Sequence, residues 1–276
     1  MDLSKLKYSK NEAGKDMPIK PSPSQSADEG EVKPLSEGLV LSVGYAKEEP
    51  TVETQIIFVI SGGAKREKDY FKQIMKDRKI KRLKIAFTSK EGQGLVPQQM
   101  NDLAKDFVLQ KRFRTETDSY SIDADDTLFM LQDMDEFEAE IKSIFHEGRI
   151  AQTEWIVSNP SFEIWLFYHK FDTPNGILDE GANKPLSERS QWLKHRLNEI
   201  VQGGINPVAI FANIRTAIEN SKKNYTEIDR IPMLYSTQMH ILAERILAVM
   251  GDEFDDMLKR REVRLKEFLA KRYTKE

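Results

Sequence analysis

An α/β fold, a parallel sheet flanked by helices and followed by a C-terminal helical lobe, is predicted by three features of the sequence. Between residues 55 and 157, short β-branched apolar runs alternate with amphipathic helical patterns. Each run stops at a cluster of Gly, Ser, Asn or Asp, and beyond residue 160 only helical patterns remain. Continuous apolar runs are what strands covered on both faces require, and strand–helix alternation feeds right-handed crossovers between parallel strands. The expected organisation is an arm over 1–50, an α/β domain over 51–160 and a helical lobe over 161–276 packed on the sheet domain.

In chain order, residues 1–50 hold five of the eleven prolines and only Tyr8 and Tyr45 as aromatics. Such a composition cannot offset the entropy of ordering, so a flexible arm is expected. Its exception is the apolar segment 38–43 (GLVLSV), suited to adding an edge strand or docking on a partner. The first strand is 55–60 (QIIFVI), closed by Ser61-Gly62-Gly63; a helix over 65–79 presents Tyr70, Phe71, Ile74 and Met75. A strand over 83–87 (LKIAF) leads through a glycine loop to a helix over 98–111, with Pro97 at its start. Residues 127–132 (TLFMLQ) form the third strand, 137–146 the next helix and 154–157 (EWIV) the fourth strand. After it, Phe162, Trp165, Leu166, Phe167 and Phe171 make a helix apolar all round, hence a buried connection. Helices follow over 186–201, 207–221, 237–250 and 253–272, the last with Phe254, Leu258, Leu265 and Phe268 on its apolar face.

Composition excludes several chemistries. The chain of 276 residues has no cysteine, which removes disulfides, iron–sulfur clusters, thiol nucleophiles and thiolate zinc sites. The histidines, His146, His169, His195 and His240, never share a helix face at metal-ligand spacing, and no Ser/His/Asp triad is readable without geometry. His169 is expected to be a partly buried, hydrogen-bonded residue. No apolar run reaches the roughly 20 residues that span a bilayer, and the N-terminal MDLSKLKYSKNEAGKD lacks a signal-like apolar stretch, so a soluble, cytoplasmic protein is expected. A net charge of −3 does not announce a nucleic-acid binder, yet residues 259–275 carry eight basic residues against Glu262 and Glu267. A phosphate backbone could use that stripe; a solvated helix face is the ordinary reading.

The strongest chemical signal is Asp133-Met134-Asp135 at the carboxyl end of a buried strand. Parallel sheets bind ligands beyond that end, and two carboxylates one residue apart can reach one hard cation. The competing reading is structural: Asp135 with Glu138 matches a capping box for the next helix. Ser61-Gly62-Gly63-Ala64-Lys65-Arg66-Glu67 could cradle a phosphate on backbone N–H groups but lacks a nucleotide-triphosphate loop. Glu91-Gly92-Gln93-Gly94 is a second glycine turn.

The stretch SNPSFEIWLFYHK (158–170) is similar, almost residue for residue, to a pattern of the RloB-like family: Ser-Asn-Pro, a small residue, Phe-Glu, an apolar residue, Trp, Leu-rich, His. That family's core is a Toprim domain, the metal-binding fold shared by primases, topoisomerases and overcoming-lysogenization-defect nucleases. Asp133 and Asp135 fall where the family's acidic pair closes a strand. Glu67-Lys68-Asp69-Tyr70-Phe71 resembles its Glu-Pro-x-Tyr-Phe helix start, Gly94-Leu95-Val96-Pro97 its glycine and proline turn, and TQMHILAERI (237–246) its C-terminal helix. The likeness covers about 55–250. It departs at the first strand's end, where the family usually has a glutamate and this chain has Gly62; Ala64 likewise replaces a frequent glutamate.

The resemblance implies a Toprim-like α/β core and a Mg²⁺- or Mn²⁺-dependent nuclease of antiphage defence (abortive infection). It would act on tRNA or DNA under a partner ATPase of the ABC or AAA type, away from membranes; self-association is left open. Asp133, Asp135 and Glu67 would hold the metal, Glu67 or Glu163 would handle protons, and Lys65 or Arg66 would steady the transition state. Helix N-terminal charge complementing the dipole is the alternative role for Glu67 and Glu163. The rival reading is a catalytically silent module that binds nucleic acid or a partner, which Gly62 favours. A nucleotidyl transferase or primase-like enzyme is poorer, because no nucleotide-binding motif accompanies the acidic pair.

Overall fold

A computed structural model describes residues 53–273 except Glu91, Gln93 and Arg149; the expected arm and its apolar segment 38–43 lie outside the described residues. The first half runs β1 (Gln55–Ser61), α1 (Arg66–Lys76), β2 (Leu83–Thr88), α2 (Pro97–Gln110), β3 (Arg112–Arg114), β4 (Ser119–Ser121), β5 (Leu128–Asp133), α3 (Glu138–Glu147) and β6 (Thr153–Ser158). Four of these strands form one parallel sheet in the order β2-β1-β5-β6. Their burial explains the apolar runs: Phe58, Val59, Ile60, Leu128, Met130, Trp155, Ile156 and Val157 are at most 1% exposed. Each such side chain contributes on the order of 1.5–3 kcal/mol.

Alternation along the strands separates two cores. Ile57, Val59, Phe129, Leu131 and Ile156 face α1 and the C-terminal helices, while Phe58, Ile60, Met130, Trp155 and Val157 face α2 and α3. The chain moves from β1 to β2 in one direction and from β5 to β6 in the other. The strand order therefore reverses between β1 and β5, and the crevice beyond their carboxyl ends is where such sheets bind ligands.

The second half runs α4 (Glu163–Tyr168), α5 (Asp179–Ala182), α6 (Leu186–Ile200), α7 (Pro207–Ile210), α8 (Ile214–Lys223), β7 (Glu227–Ile228), β8 (Ile231–Pro232), α9 (Met239–Met250) and α10 (Asp252–Tyr273). Every residue of α4 is buried. The segment before α9 straps the outer edge of β6: the Val157 N–H donates to Gln238 Oε1 (3.0 Å), the Gln238 N–H donates to the Val157 carbonyl (2.9 Å), and the Ser158 and Thr237 hydroxyls bond at 2.7 Å.

Several expectations change. Met75 is 43% exposed; α1 buries Glu67, Tyr70, Phe71 and Ile74 instead. The helix expected over 207–221 is broken by a 3-10 turn at Phe211–Asn213, while Phe211 and Ile214 are both buried, as their spacing predicts. The hairpin β3/β4 went unforeseen because each of its three-residue strands carries a single aromatic residue, Phe113 and Tyr120; the Phe113 ring lies tilted against Phe107 and Phe58 at centroid distances of 4.8 and 5.0 Å. In α10, Phe254 is buried, but Leu265 and Phe268 are 57% and 61% exposed, because nothing described packs over the helix's later turns.

Candidate acidic site at the sheet switch point

The carboxyl ends of β1 and β5 are built from small residues and acids. After Ser61 the chain turns through Gly62 and Gly63 into α1. Two backbone bonds clamp the turn: the Gly62 N–H donates to the Leu131 carbonyl (2.8 Å), and the Leu95 N–H donates to the Gly62 carbonyl (2.9 Å). Gly94 (φ 72°) sits so close to the Gly62 carbonyl that a Cβ there would collide with it, which accounts for the glycine loop after β2. Gly63 leaves room for the carboxylate of Glu67, which folds back from the first turn of α1 and is 7% exposed.

Asp133 ends β5, and its Oδ1 accepts the Phe162 N–H at 2.7 Å. Asp135 follows in a strained backbone conformation (φ 31°) within a 3-10 turn, and Ser190 of α6 donates its hydroxyl to Asp135 Oδ1. The capping-box reading of Asp135 fails: α3 starts at Glu138 after Phe137, with no side-chain cap, and Asp135 faces α6 instead. Glu163, 2% exposed at the start of α4, accepts the Ser161 hydroxyl at 2.7 Å and pairs with Arg66 (3.3 Å) and Lys194 of α6 (3.9 Å).

The same segment accounts for several positions of the Ser158–Lys170 pattern. Asn159 Nδ2 donates to the Pro232 carbonyl (2.9 Å), the Pro160 carbonyl accepts the Asp135 N–H (3.0 Å), and the Asn159–Pro160 peptide is cis. Trp165 and His169 lie below: His169 Nδ1 bonds the Trp165 carbonyl (2.9 Å) and its Nε2 meets the Tyr70 hydroxyl (3.1 Å). Burial holds His169 neutral, lowering its pKa to about 3. It serves the core, not the acidic site.

The acids act on one another. Burial, then the neighbouring Glu163 charge, raises Glu67 to about 7 against the partial relief of a hydrogen bond from its own backbone N–H. Asp133 is pushed well above the carboxylate range by burial and by Glu67, Glu163 and Asp135. Asp135 is raised by burial, with Ser190 and Lys194 opposing. Among the described residues neither Glu67 nor Asp133 has a basic partner at ion-pair distance. Lys65 is exposed at the residue before α1; the basic groups acting on these acids are Arg66 and Lys194.

All donors are carboxylate oxygens, the set a hard divalent cation prefers, and Glu67, buried, and Asp133, half-buried, have no basic group at ion-pair distance. In the present arrangement no three His, Asp or Glu side chains among the described residues form a group that could hold a metal ion. The place at which the resemblance leads one to expect a first-strand acid is also filled. A Cβ on Gly62 would run into the side-chain amide of Gln132 and approach the Leu95 carbonyl at 3.1 Å. Gln132 Oε1 is buried without a partner, as is the Ser61 hydroxyl. Ser61, paired with Leu131, shares that residue's face of the sheet, which is also the face of Asp133.

Sequence reasoning missed Ser190, Lys194 and Gln132, and read Ser61 only as part of a turn that could cradle a phosphate. Ser190 and Lys194 lie one helical turn apart on α6, but nothing local says which surface that turn meets. Neither a curated protein nor a solved structure matches the chain. A family model described as RloB-like protein matches residues 57–246, more than half of the sequence, and the motif Ser158–Lys170, the acid-closed β5 and the α1 start all fall inside it. This protein belongs to the RloB-like family.

Proposed function

We propose that the chain is a Toprim-type, Mg²⁺- or Mn²⁺-dependent nuclease of an antiphage defence system, cleaving a phosphodiester bond of tRNA or DNA under the control of a partner ATPase. One observation carries the reading: Glu67, Asp133, Asp135 and Glu163 come from separate parts of the chain to the switch point of a parallel sheet and repel one another there. Uncompensated buried acids are costly unless a function needs them. Asp133, Asp135 and Glu67 would hold the cation, which requires their carboxylates to draw closer together than in the present arrangement. When bound, it supplies charge neutralisation of the scissile phosphate and a water of lowered pKa.

The chain's own groups divide the remaining work. Glu67, raised to about 7 by burial, can take and return a proton at neutral pH where its carboxylate is left free of the cation; where it holds the cation, Glu163 is the acid left to handle the proton. Phe162 and Ser190 hold Asp133 and Asp135 in place, and Arg66 and Lys194, anchored on Glu163, present positive charge to a bound phosphate. Purified protein with Mg²⁺ or Mn²⁺ is to be incubated with tRNA, single-stranded DNA and duplex DNA beside Asp133→Asn/Asp135→Asn. The parent is expected to cleave one of them and the variant none; equal cleavage by both sinks the assignment.

A second reading has its own support. Gly62 lacks the acid, and Gln132 occupies its space, which suits a catalytically silent module that binds nucleic acid or the ATPase. Absence of metal-dependent cleavage on every substrate, with ATPase binding intact, selects it.

A further inference from the structure

A groove of about 700 Å³ lies between the later turns of α1, the start of α7 and the middle of α10, and its walls carry Lys72, Lys76, Arg261 and Arg264. The acid in its wall, Asp77, is engaged by Arg260 at 3.3 Å. On α1, Lys72 and Lys76 continue a row begun by Lys65 and Lys68. Spacings of three and four residues put all four on one helix face, opposite Tyr70 and Ile74. The acids along the row are Asp69, bonded to Lys72 at 2.9 Å, and Glu116, bonded to Lys68 at 3.2 Å. Both are surface pairs of little strength, the first only partly buried, so a stronger anion can displace them. Arg261 is turned to the Ala209 carbonyl (2.6 Å), leaving Arg264 as the exposed charge of the α10 wall.

A solvated helix face accounts for one basic row, but not for two helices far apart in sequence holding like charge over one cavity. The row also leads somewhere. Its first residue, Lys65, adjoins Arg66, which pairs with Glu163 in the acidic site, and from Arg66 to Lys76 is about 15 Å along the helix axis, long enough to meet more than one phosphate of a strand. We propose that the lysine face of α1 and Arg264 of α10 form a track that grips the phosphodiester backbone of a nucleic-acid strand and leads it to the acidic site. This rests on the nuclease reading only in taking that site's substrate to be a nucleic acid.

The test is binding of a fluorescein-labelled single strand of about 20 nucleotides to the full chain in EDTA, read by anisotropy across a salt series, so that no cleavage enters. Lys76→Glu/Arg264→Glu changes two exposed residues and is expected to keep the parent's melting temperature. It should weaken binding about tenfold and lower the slope of log K against log salt by about 1.4, for two lost phosphate contacts. Asp133→Asn/Asp135→Asn is expected to bind at least as tightly as the parent, so a failure of the cleavage reading leaves the track standing. Parental affinity and slope in the charge-reversed variant overturn the proposal, as does a parent that fails to bind the strand at about 50 mM salt.

Discussion

Asp133 receives the backbone N–H of Phe162 at 2.7 Å, so the acid that closes β5 is held by the segment that opens α4. The bond needs an acceptor and not a charge, and the charge is what burial and three neighbouring acids oppose. Asp133→Asn is therefore expected to melt higher than the parent at pH 8 by about 2–4 °C, whereas Asp133→Ala loses the acceptor and melts lower. Calorimetry on both variants decides it; identical melting would show the bond to be idle.

Glu67 gives a pH dependence of definite sign. Its carboxyl titrates near 7 folded and near 4.5 unfolded, so the folded chain binds the extra proton between those values. The associated stability is whole below 4.5 and is lost as the pH rises through 7, by about 3 kcal/mol at most. Urea unfolding of Glu67→Gln beside the parent from pH 4.5 to 8 should show the difference growing in the variant's favour as the pH rises.

His169 has the opposite sign. Held to about 3 in the fold and near 6.5 when unfolded, it contributes fully above 6.5 and progressively less as the pH falls toward 3. His169→Ala also breaks the Tyr70 contact and opens space beside Trp165, and is expected to cost about 2–4 kcal/mol at pH 8. Its unfolding should then depend less on pH below 6.5 than the parent's, which denaturation at pH 5 and 8 reads directly.

A divalent cation bound by ionised Glu67 and Asp133 stabilises the fold in proportion to its affinity. About 10 mM Mg²⁺ is expected to raise the parent's melting temperature and leave Asp133→Asn/Asp135→Asn unmoved. Equal shifts in both would place the ion elsewhere.

Restoring the acid at residue 62 requires a second change. Gly62→Glu alone forces its side chain into the Gln132 amide and is expected to destabilise by about 1–3 kcal/mol. Gly62→Glu/Gln132→Ala should recover about 1 kcal/mol or more of coupling in a double-mutant cycle, read by urea unfolding. If metal-dependent cleavage is gained, it is expected in the double variant.

Much of this was legible in the sequence. The four sheet strands carry their burial in their composition, and Asp133 and Asp135 declared themselves by standing at a strand end. Glu163 and Glu67 were reachable through the family pattern. Ser190 and Lys194 were not, because Asp135 and Ser190 meet across 55 residues by tertiary packing alone. The same limit misled at α10: the spacing of Leu265 and Phe268 predicts an apolar face but cannot say whether anything covers it. Asp135 and Glu138 matched a capping pattern that the 3-10 turn between them overrode.

The strap of Gln238 and Thr237 on β6 reaches beyond the fold of one molecule. It occupies hydrogen-bonding groups that a strand from another copy would need, whereas among the described residues β2 pairs only with β1. Edge-to-edge stacking through β2 alone joins two copies back to back and stops there, since a growing fibril needs a free margin on both sides.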